Sequence, residues 1–274
     1  FFAGAGGLDL GFKQAGFDIV YASDIESDCC ETLRLNRGSS TSDKSDIHCG
    51  DIRAIDFSTL PDNIDLVVGG PPCQSFSASG RRAGGAAGRL DDRGNLFEAY
   101  RDIIRHLQPK AFVFENVRGI LATNKGQDWA AIVSAFNELG YSVNYRLLDA
   151  ADYGVPQHRE RMFLVGHCSD KPFLFPRPLF GPDSCGETPH VSPKDAFKGL
   201  RIRNSEADGL KFEGGKYSHL LPEVPEGQNY LFFTAKRGHP NPVFAYRSRF
   251  SDFLYKAHRG YPMKTIIASP GKYT

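Results

Sequence analysis

What this chain lacks narrows its class first. No stretch approaches 18 uncharged apolar residues, so no membrane-spanning helix is expected, and no signal peptide is visible at its start. Six cysteines (Cys29, Cys30, Cys49, Cys73, Cys168 and Cys185) form neither a C-x-x-C pair nor a dense framework. Reduced thiols in an intracellular setting, with no metal site, are therefore the expectation. Internal repeats and long low-complexity tracts are also missing, which argues against a solenoid. An initiator Met is lacking too: the chain opens at Phe1, inside a glycine-rich motif, so its true N-terminus is expected to lie upstream.

A charge excess is absent overall, with 33 Lys+Arg against 32 Asp+Glu, but the balance hides an asymmetry. Residues 1–175 hold 18 basic and 23 acidic side chains, whereas residues 176–274 hold 15 and 9. A basic C-terminal part beside an acidic N-terminal part suggests that the former meets a polyanion, unless the charge is simply unevenly solvated. With 41% apolar and 24% charged residues, 274 residues suffice for one large α/β domain and a smaller second one.

The chain is organised around GGPPCQSFS, residues 69–77. The preceding DLVV reads as a short buried strand that stops at glycines, and Pro71 and Pro72 stiffen the turn that presents Cys73. Open α/β sheets keep their chemistry at such strand ends, although a lone cysteine beside a Pro turn is more often plain packing.

Upstream, Phe1-Phe2 reads as the end of a first strand, followed by a glycine turn into a helix closing near Gly16. A second strand over 17–23 ends at Asp24, a carboxylate suited to the hydroxyls of a ribose or to capping the next helix, 27–36. A third strand at 47–49 leads to Asp51-Ile52, an acid and an apolar side chain suited to an adenine's amino group and ring face, or to a turn. Residues 75–92, rich in Gly, Ser and Arg, read as a lid or as a plain surface loop. Helices are expected at 94–107 and 128–139, and strands at 111–115, 142–149 and 162–167. The 111–115 strand ends on Glu115, whose poor solvation would raise its pKa. Between the last two strands, alternating Arg159 and Arg161 set two guanidinium groups on one side of an extended segment, for chemistry or for a structural ion-pair cluster. Beyond residue 171 the periodicity fades, and aromatics interleave with basic residues: Tyr230, Phe232, Phe233, Lys236, Arg237, His239, Tyr246, Arg247, Arg249, Tyr255 and Lys256.

Taken together, FFAGAGGLDLGF, GGPPCQSFS, ENV (115–117) and QHRER (157–161) resemble the cytosine-C5 DNA methyltransferase family of bacterial restriction-modification systems, over residues 1 to about 168. The resemblance implies a doubly wound, mostly parallel α/β sheet of the S-adenosylmethionine-dependent methyltransferase type, with a catalytic domain over 1–175 and a small irregular target-recognition domain over 176–260. Residues 261–274 would begin a return to the catalytic domain, with the family's C-terminal motifs still to come. It implies Cys73 as the nucleophile toward C6 of cytosine, next to Pro72, with Glu115 at N3, Arg159 and Arg161 near O2, and Asn116 supporting the Glu115 turn. S-adenosyl-L-methionine would lie among Phe2, Ala3, Gly4, Gly6, Gly7, Leu8, Asp24, Ile25, Asp51, Ile52 and Leu96. Where the family often has an aromatic after the ribose acid, this chain has Ile25.

Double-stranded DNA is the implied partner, touched by Ser75, Arg81, Arg82, Arg89, Arg93, Lys236, Arg237, Arg247 and Arg249. A monomer in the bacterial cytoplasm is expected, and a cognate restriction endonuclease is compatible with the chain's bacterial character. The rival readings are an RNA methyltransferase of the same family, a catalytically silent DNA-binding module, and a cysteine hydrolase. The last is disfavoured because no histidine stands in an activating motif.

Overall fold

The computed structural model describes residues 1–39, 41–42, 44–72, 95–186, 188–200, 216–247 and 253–266. Contacts divide the chain into two units, Phe1–Leu147 with Arg161–Phe175, and Leu148–Glu160 with Pro176–Thr274.

The first unit alternates strands and helices. Helix α1 (Gly7–Gln14) starts where Gly6 turns at φ 85°, a left-handed conformation that favours glycine. Strand β1 (Tyr21–Asp24) leads to α2 (Ser27–Leu35) and β2 (Asp46–Cys49), and β1 and β2 pair in parallel from Tyr21↔Asp46 to Asp24↔Cys49. Strand β3 (Leu66–Gly69), α3 (Asn95–Leu107), β4 (Ala111–Val117), α4 (Gln127–Asn137), β5 (Ser142–Asp149) and β6 (Glu160–His167) follow, the four strands forming a second sheet ordered β3-β4-β6-β5.

The fold is α/β, as expected, and its second sheet is mixed. Strand β3 runs parallel to β4, from Leu66↔Ala111 to Gly69↔Phe114, and β6 runs antiparallel to β4. A parallel neighbour needs a crossover of about a dozen residues or more, usually helical, and only a 3₁₀ turn and a short loop separate β5 from β6.

An aromatic cluster fills the core of this unit. Phe97, Tyr100, Phe112, Phe114, Trp129 and Phe136 are buried, with the Phe112 and Phe136 rings 4.3 Å apart. Burying each such side chain contributes about 1.5–3 kcal/mol. The buried Tyr100 hydroxyl donates to the Val113 carbonyl at 2.8 Å. Its ring also explains Gly69 at the end of β3, because an added Cβ there would come within 2.4 Å of it.

The second unit has little regular structure. Its short helix α5 (Pro193–Ala196) is fixed by a capping box between Ser192 and Asp195. Elsewhere single 3₁₀ turns, such as Ser218–Glu223 and Tyr230–Phe233, carry Leu220, Val224, Tyr230 and Phe233 into a core shared with Leu254.

Residues 148–160 group with the later chain rather than with 1–147, because the His158 N–H donates to the Met263 carbonyl at 2.8 Å and the Met263 N–H donates to the Pro156 carbonyl at 3.0 Å. The described part of 261–274 groups with the second unit as well. Among the described residues no helix is long and apolar enough to cross a membrane.

Candidate active site

In the first unit, strand ends bring two groups of side chains into order. The first surrounds the glycine turn. The Gly4 N–H donates to Asp24 Oδ2 at 2.8 Å, and the Ala3 N–H donates to the Ser23 carbonyl at 3.0 Å, so the turn lies along the tip of β1. Asp24 Oδ1 accepts from the Glu26 N–H at 3.0 Å. Glu26, not Asp24, is the N-cap of α2, so the capping alternative for Asp24 does not hold. Each carboxylate oxygen keeps a lone pair beyond these bonds.

At the tip of β2, the Gly50 N–H donates to the Asp24 carbonyl at 2.9 Å, which sets the approach to Asp51 beside Asp24. Asp51 caps the 3₁₀ turn Ile52–Ala54 and is gripped by Arg53, whose Nε lies 2.9 and 3.0 Å from its two carboxylate oxygens. The hydrogen bonds from Arg53 outweigh burial and hold this carboxyl below its ordinary pKa. Ile52 is buried in the core, Phe2 and Leu96 are partly buried against it, and Leu8 is half-buried on α1. Ile25 is 64% exposed.

These residues fit a bound nucleoside with an amino-acid tail. A Cβ added at Gly4 or Gly7 would meet nothing within 4 Å, so the backbone of the turn faces open space. Asp24 offers acceptors at a strand end, and the N-terminus of α1 favours a carboxylate.

The second group surrounds the turn that precedes Cys73. Cys73 itself, like Ser75, Arg81, Arg82, Arg89 and Arg93, lies outside the described residues, as does the expected lid over 75–92; Pro72 is the last residue described before it. Asn116, 4% exposed, donates through Nδ2 to the Pro71 carbonyl at 2.9 Å and accepts through Oδ1 from the Val117 N–H at 2.9 Å. It therefore ties the end of β4 to the proline turn after β3, a wider role than support of the Glu115 turn. Glu115 lies over the same turn, since a Cβ added at Gly70 would come within 3.0 Å of its Oε2. Arg161 Nε lies 2.8 Å from Glu115 Oε1, and the two side chains are about one-fifth exposed. Glu115, expected as a poorly solvated acid at a strand end, is thus paired with a guanidinium.

Comparison with known proteins decides the class. Residues 1–199 match the C-5 cytosine-specific DNA methylase family. The Type II methyltransferase M.AquIA of Picosynechococcus sp. is 43% identical over 199 residues, covering 67% of this chain and 76% of the relative. The chain belongs to the C-5 cytosine-specific DNA methylase family. It is by class a DNA cytosine-5 methyltransferase, with S-adenosyl-L-methionine as cofactor. The Type II methyltransferase M.NgoFVII of Neisseria gonorrhoeae is 36% identical over 275 residues, covering 98% of this chain and 69% of the relative. Among solved structures, a putative DNA modification methyltransferase encoded within an E. coli prophage matches with a TM-score of 0.55 and 27% identity, covering 82% of this chain and 63% of that one.

The remaining candidate site residues of this DNA methylase lie in its second unit. Arg159 belongs to a loop fixed by Asp149, which the sequence reading passed over. Asp149 Oδ1 accepts from the Arg159 N–H at 2.8 Å, and Oδ2 lies 2.8 Å from His158 Nδ1. Burial pushes the Asp149 carboxyl up, but the His158 ring and the Arg159 and Ala151 amides outweigh it and hold its pKa below the ordinary value. A signal was available, since Asp is a common cap and here ends a strand ten residues before Arg159.

Lys236, Arg237, Tyr246 and Arg247 are exposed, with Lys236 Nζ 3.8 Å from the Tyr246 ring centroid. Arg249 lies outside the described residues. The interleaved aromatics are largely not a surface. Tyr230, Phe233 and Tyr255 are buried, because a unit with so little regular structure needs its large rings to build a core.

Proposed function

We propose that the chain methylates C5 of a cytosine within a specific duplex DNA sequence, through attack of Cys73 on C6. The observation that carries this reading is the Glu115–Arg161 ion pair lying over the Gly70–Pro71 turn that leads directly into Cys73.

C5 of cytosine is a weak nucleophile while the ring is aromatic. Addition of the Cys73 thiolate to C6 forms an S–C6 bond, breaks the C5–C6 double bond and pushes electrons toward N3 and O2. Glu115, once protonated, donates at N3 while Arg161 fixes its carboxyl, and Arg159 faces O2. C5 is then enamine-like. Asp24 would hold the ribose of S-adenosylmethionine, Gly4, Gly6 and Gly7 its methionine part, and Phe2, Asp51 and Ile52 its adenine, with Ala3, Leu8, Ile25 and Leu96 as neighbouring walls. When bound, that cofactor supplies an electrophilic methyl group. Loss of the C5 proton then lets the S–C6 electrons return to sulfur, which restores the double bond and frees Cys73.

A stacked duplex hides C5 and C6, so the base is turned out of the helix, at a cost of a few kcal/mol. Arg81, Arg82, Arg89 and Arg93 with Ser75, the exposed cations Lys236, Arg237 and Arg247, and Arg249 would meet the phosphates. The enzyme would act as a monomer in the bacterial cytoplasm, where its DNA lies, alongside a restriction endonuclease of the same system.

Duplex DNA carrying 5-fluorocytosine at the target tests this reading, since fluorine cannot leave C5 as a proton does. A covalent adduct is expected with the full-length protein, and none with Cys73→Ser. An active preparation that forms no adduct would overturn the covalent route. Bisulfite sequencing of plasmid DNA from expressing cells would report the methylated sequence, and methyl transfer to tRNA instead would shift the substrate to RNA.

A further inference from the structure

The loop 156–160 is held more tightly than a connection between two strands requires. One carboxylate, that of Asp149, takes three donors: the Ala151 N–H at 3.2 Å and the Arg159 N–H at 2.8 Å on Oδ1, and the His158 ring on Oδ2 at 2.8 Å. The bond to Ala151 is an ordinary cap of the 3₁₀ turn Ala150–Tyr153. The other two reach nine and ten residues along the chain, and capping does not need them. The Arg159 carbonyl in turn accepts from the Ala150 N–H at 3.1 Å. Both backbone polar groups of Arg159 are therefore satisfied by the adjacent residues Asp149 and Ala150.

His158 is fixed from a third direction as well. Its N–H donates to the Met263 carbonyl at 2.8 Å, and its own carbonyl accepts from Thr265 Oγ1 at 2.7 Å. The residue before Arg159 is thus bound on one side by Asp149 and on the other by 263–265. Hydrogen bonds to an ionised acceptor are about twice as strong as neutral ones, so the carboxylate is the dominant anchor.

We propose that Asp149 is a positioning residue for Arg159, fixing the backbone that aims its guanidinium at the target base. This rests on the reading of Arg159 as the group facing cytosine O2. Asp149 touches no reactant itself. Its effect passes through the aim of Arg159, and an aim lost by about 1 Å costs up to about 100-fold in rate.

A double-mutant cycle in the full-length enzyme tests this, with Asp149→Ala, Arg159→Ala and the double variant compared by single-turnover methylation of duplex DNA. Asp149→Ala is expected to lower kcat about 10- to 100-fold while KM for DNA and affinity for S-adenosylmethionine stay within about threefold. In the Arg159→Ala background the same change should cost less than about twofold, because nothing remains to be aimed. Asp149→Asn keeps the shape and one acceptor, and should lose about three- to tenfold with the same dependence on Arg159; it serves where the alanine variant fails to fold. Losses that multiply independently of Arg159, an unchanged kcat, or a change confined to KM would each overturn the proposal. Arg159→Ala with undiminished kcat would instead remove the reading of Arg159 itself, and the positioning role with it.

Discussion

The two units put their polar side chains to work on different supports. In the first, Glu115 and Asn116 stand near the end of β4, whose interior is locked by packed rings, and Asp24 ends β1, whose Ala22 packs with Cys30, Leu33 and Ile47. In the second, Arg159, Lys236, Arg237 and Arg247 stand on loops and single 3₁₀ turns, and hydrogen bonds rather than a sheet fix the backbone. Chemistry common to a family suits the former, because reacting groups tolerate little displacement. Recognition of one DNA sequence suits the latter, since loops change without disturbing a sheet.

The largest effect expected lies in the first unit. Cys73→Ser should lower methyl transfer by about 10⁴-fold or more, on the scale of deleting a covalent nucleophile, with S-adenosylmethionine binding by calorimetry unchanged. A serine variant turning over at near-normal rate would break the comparison at its root, since the strand-end chemistry would then lie elsewhere.

Glu115→Gln and Arg161→Ala come next, each expected to cost about 10²- to 10⁴-fold in kcat. Because one ion pair joins them, the double variant should be little worse than the poorer single one. Independent losses would mean that Arg161 acts on the base separately from Glu115.

How much was legible follows the same division. The strand expected at 142–149 is Ser142–Asp149, and the helix expected at 94–107 is Asn95–Leu107, because apolar periodicity and flanking glycines report directly on packing. The tip acid Glu115 was legible in its place, but its partner was not, since a strand pairing that sets Val117 opposite Arg161 is a long-range event. Asp51 looked available to a ligand, and nothing in the local pattern marked Arg53, two residues on, as its partner. In the second unit an aromatic–basic alternation looked like a surface, yet Tyr230 and Phe233 are core. Composition records which residues are present, and burial depends on a fold that here has almost no period to read.

That core offers a sharper comparison of the two units. Phe233→Ala should destabilise the second unit by about 3–5 kcal/mol, the range for deleting a buried ring. DNA affinity by titration should fall while S-adenosylmethionine affinity persists, because the rings that close the first unit belong to a separate cluster. Loss of both together would show that the cofactor side depends on the second unit's core.

The smallest effect expected is electrostatic and belongs to the exposed cations. Arg237 and Arg247 are exposed, and the Arg247 backbone is held by the Tyr230 hydroxyl, which accepts its N–H at 3.2 Å and donates to its carbonyl, so the position of this arginine is set by the core beneath it. If each neutralises one phosphate, Arg237→Ala with Arg247→Ala should flatten the slope of log affinity against log salt by about 2, since each contact contributes about 0.9. Lys236 should differ, because its ammonium rests 3.8 Å from the Tyr246 ring centroid, and a cation already stabilised there has less to gain from a phosphate. Lys236→Ala is accordingly expected to change the slope by less than about 0.9. Cofactor affinity should not move in any of these variants. An unchanged slope in the double arginine variant would transfer the phosphate contacts to Arg81, Arg82 and Arg89 of the first unit, and the division between a chemical unit and a DNA-holding unit would fail.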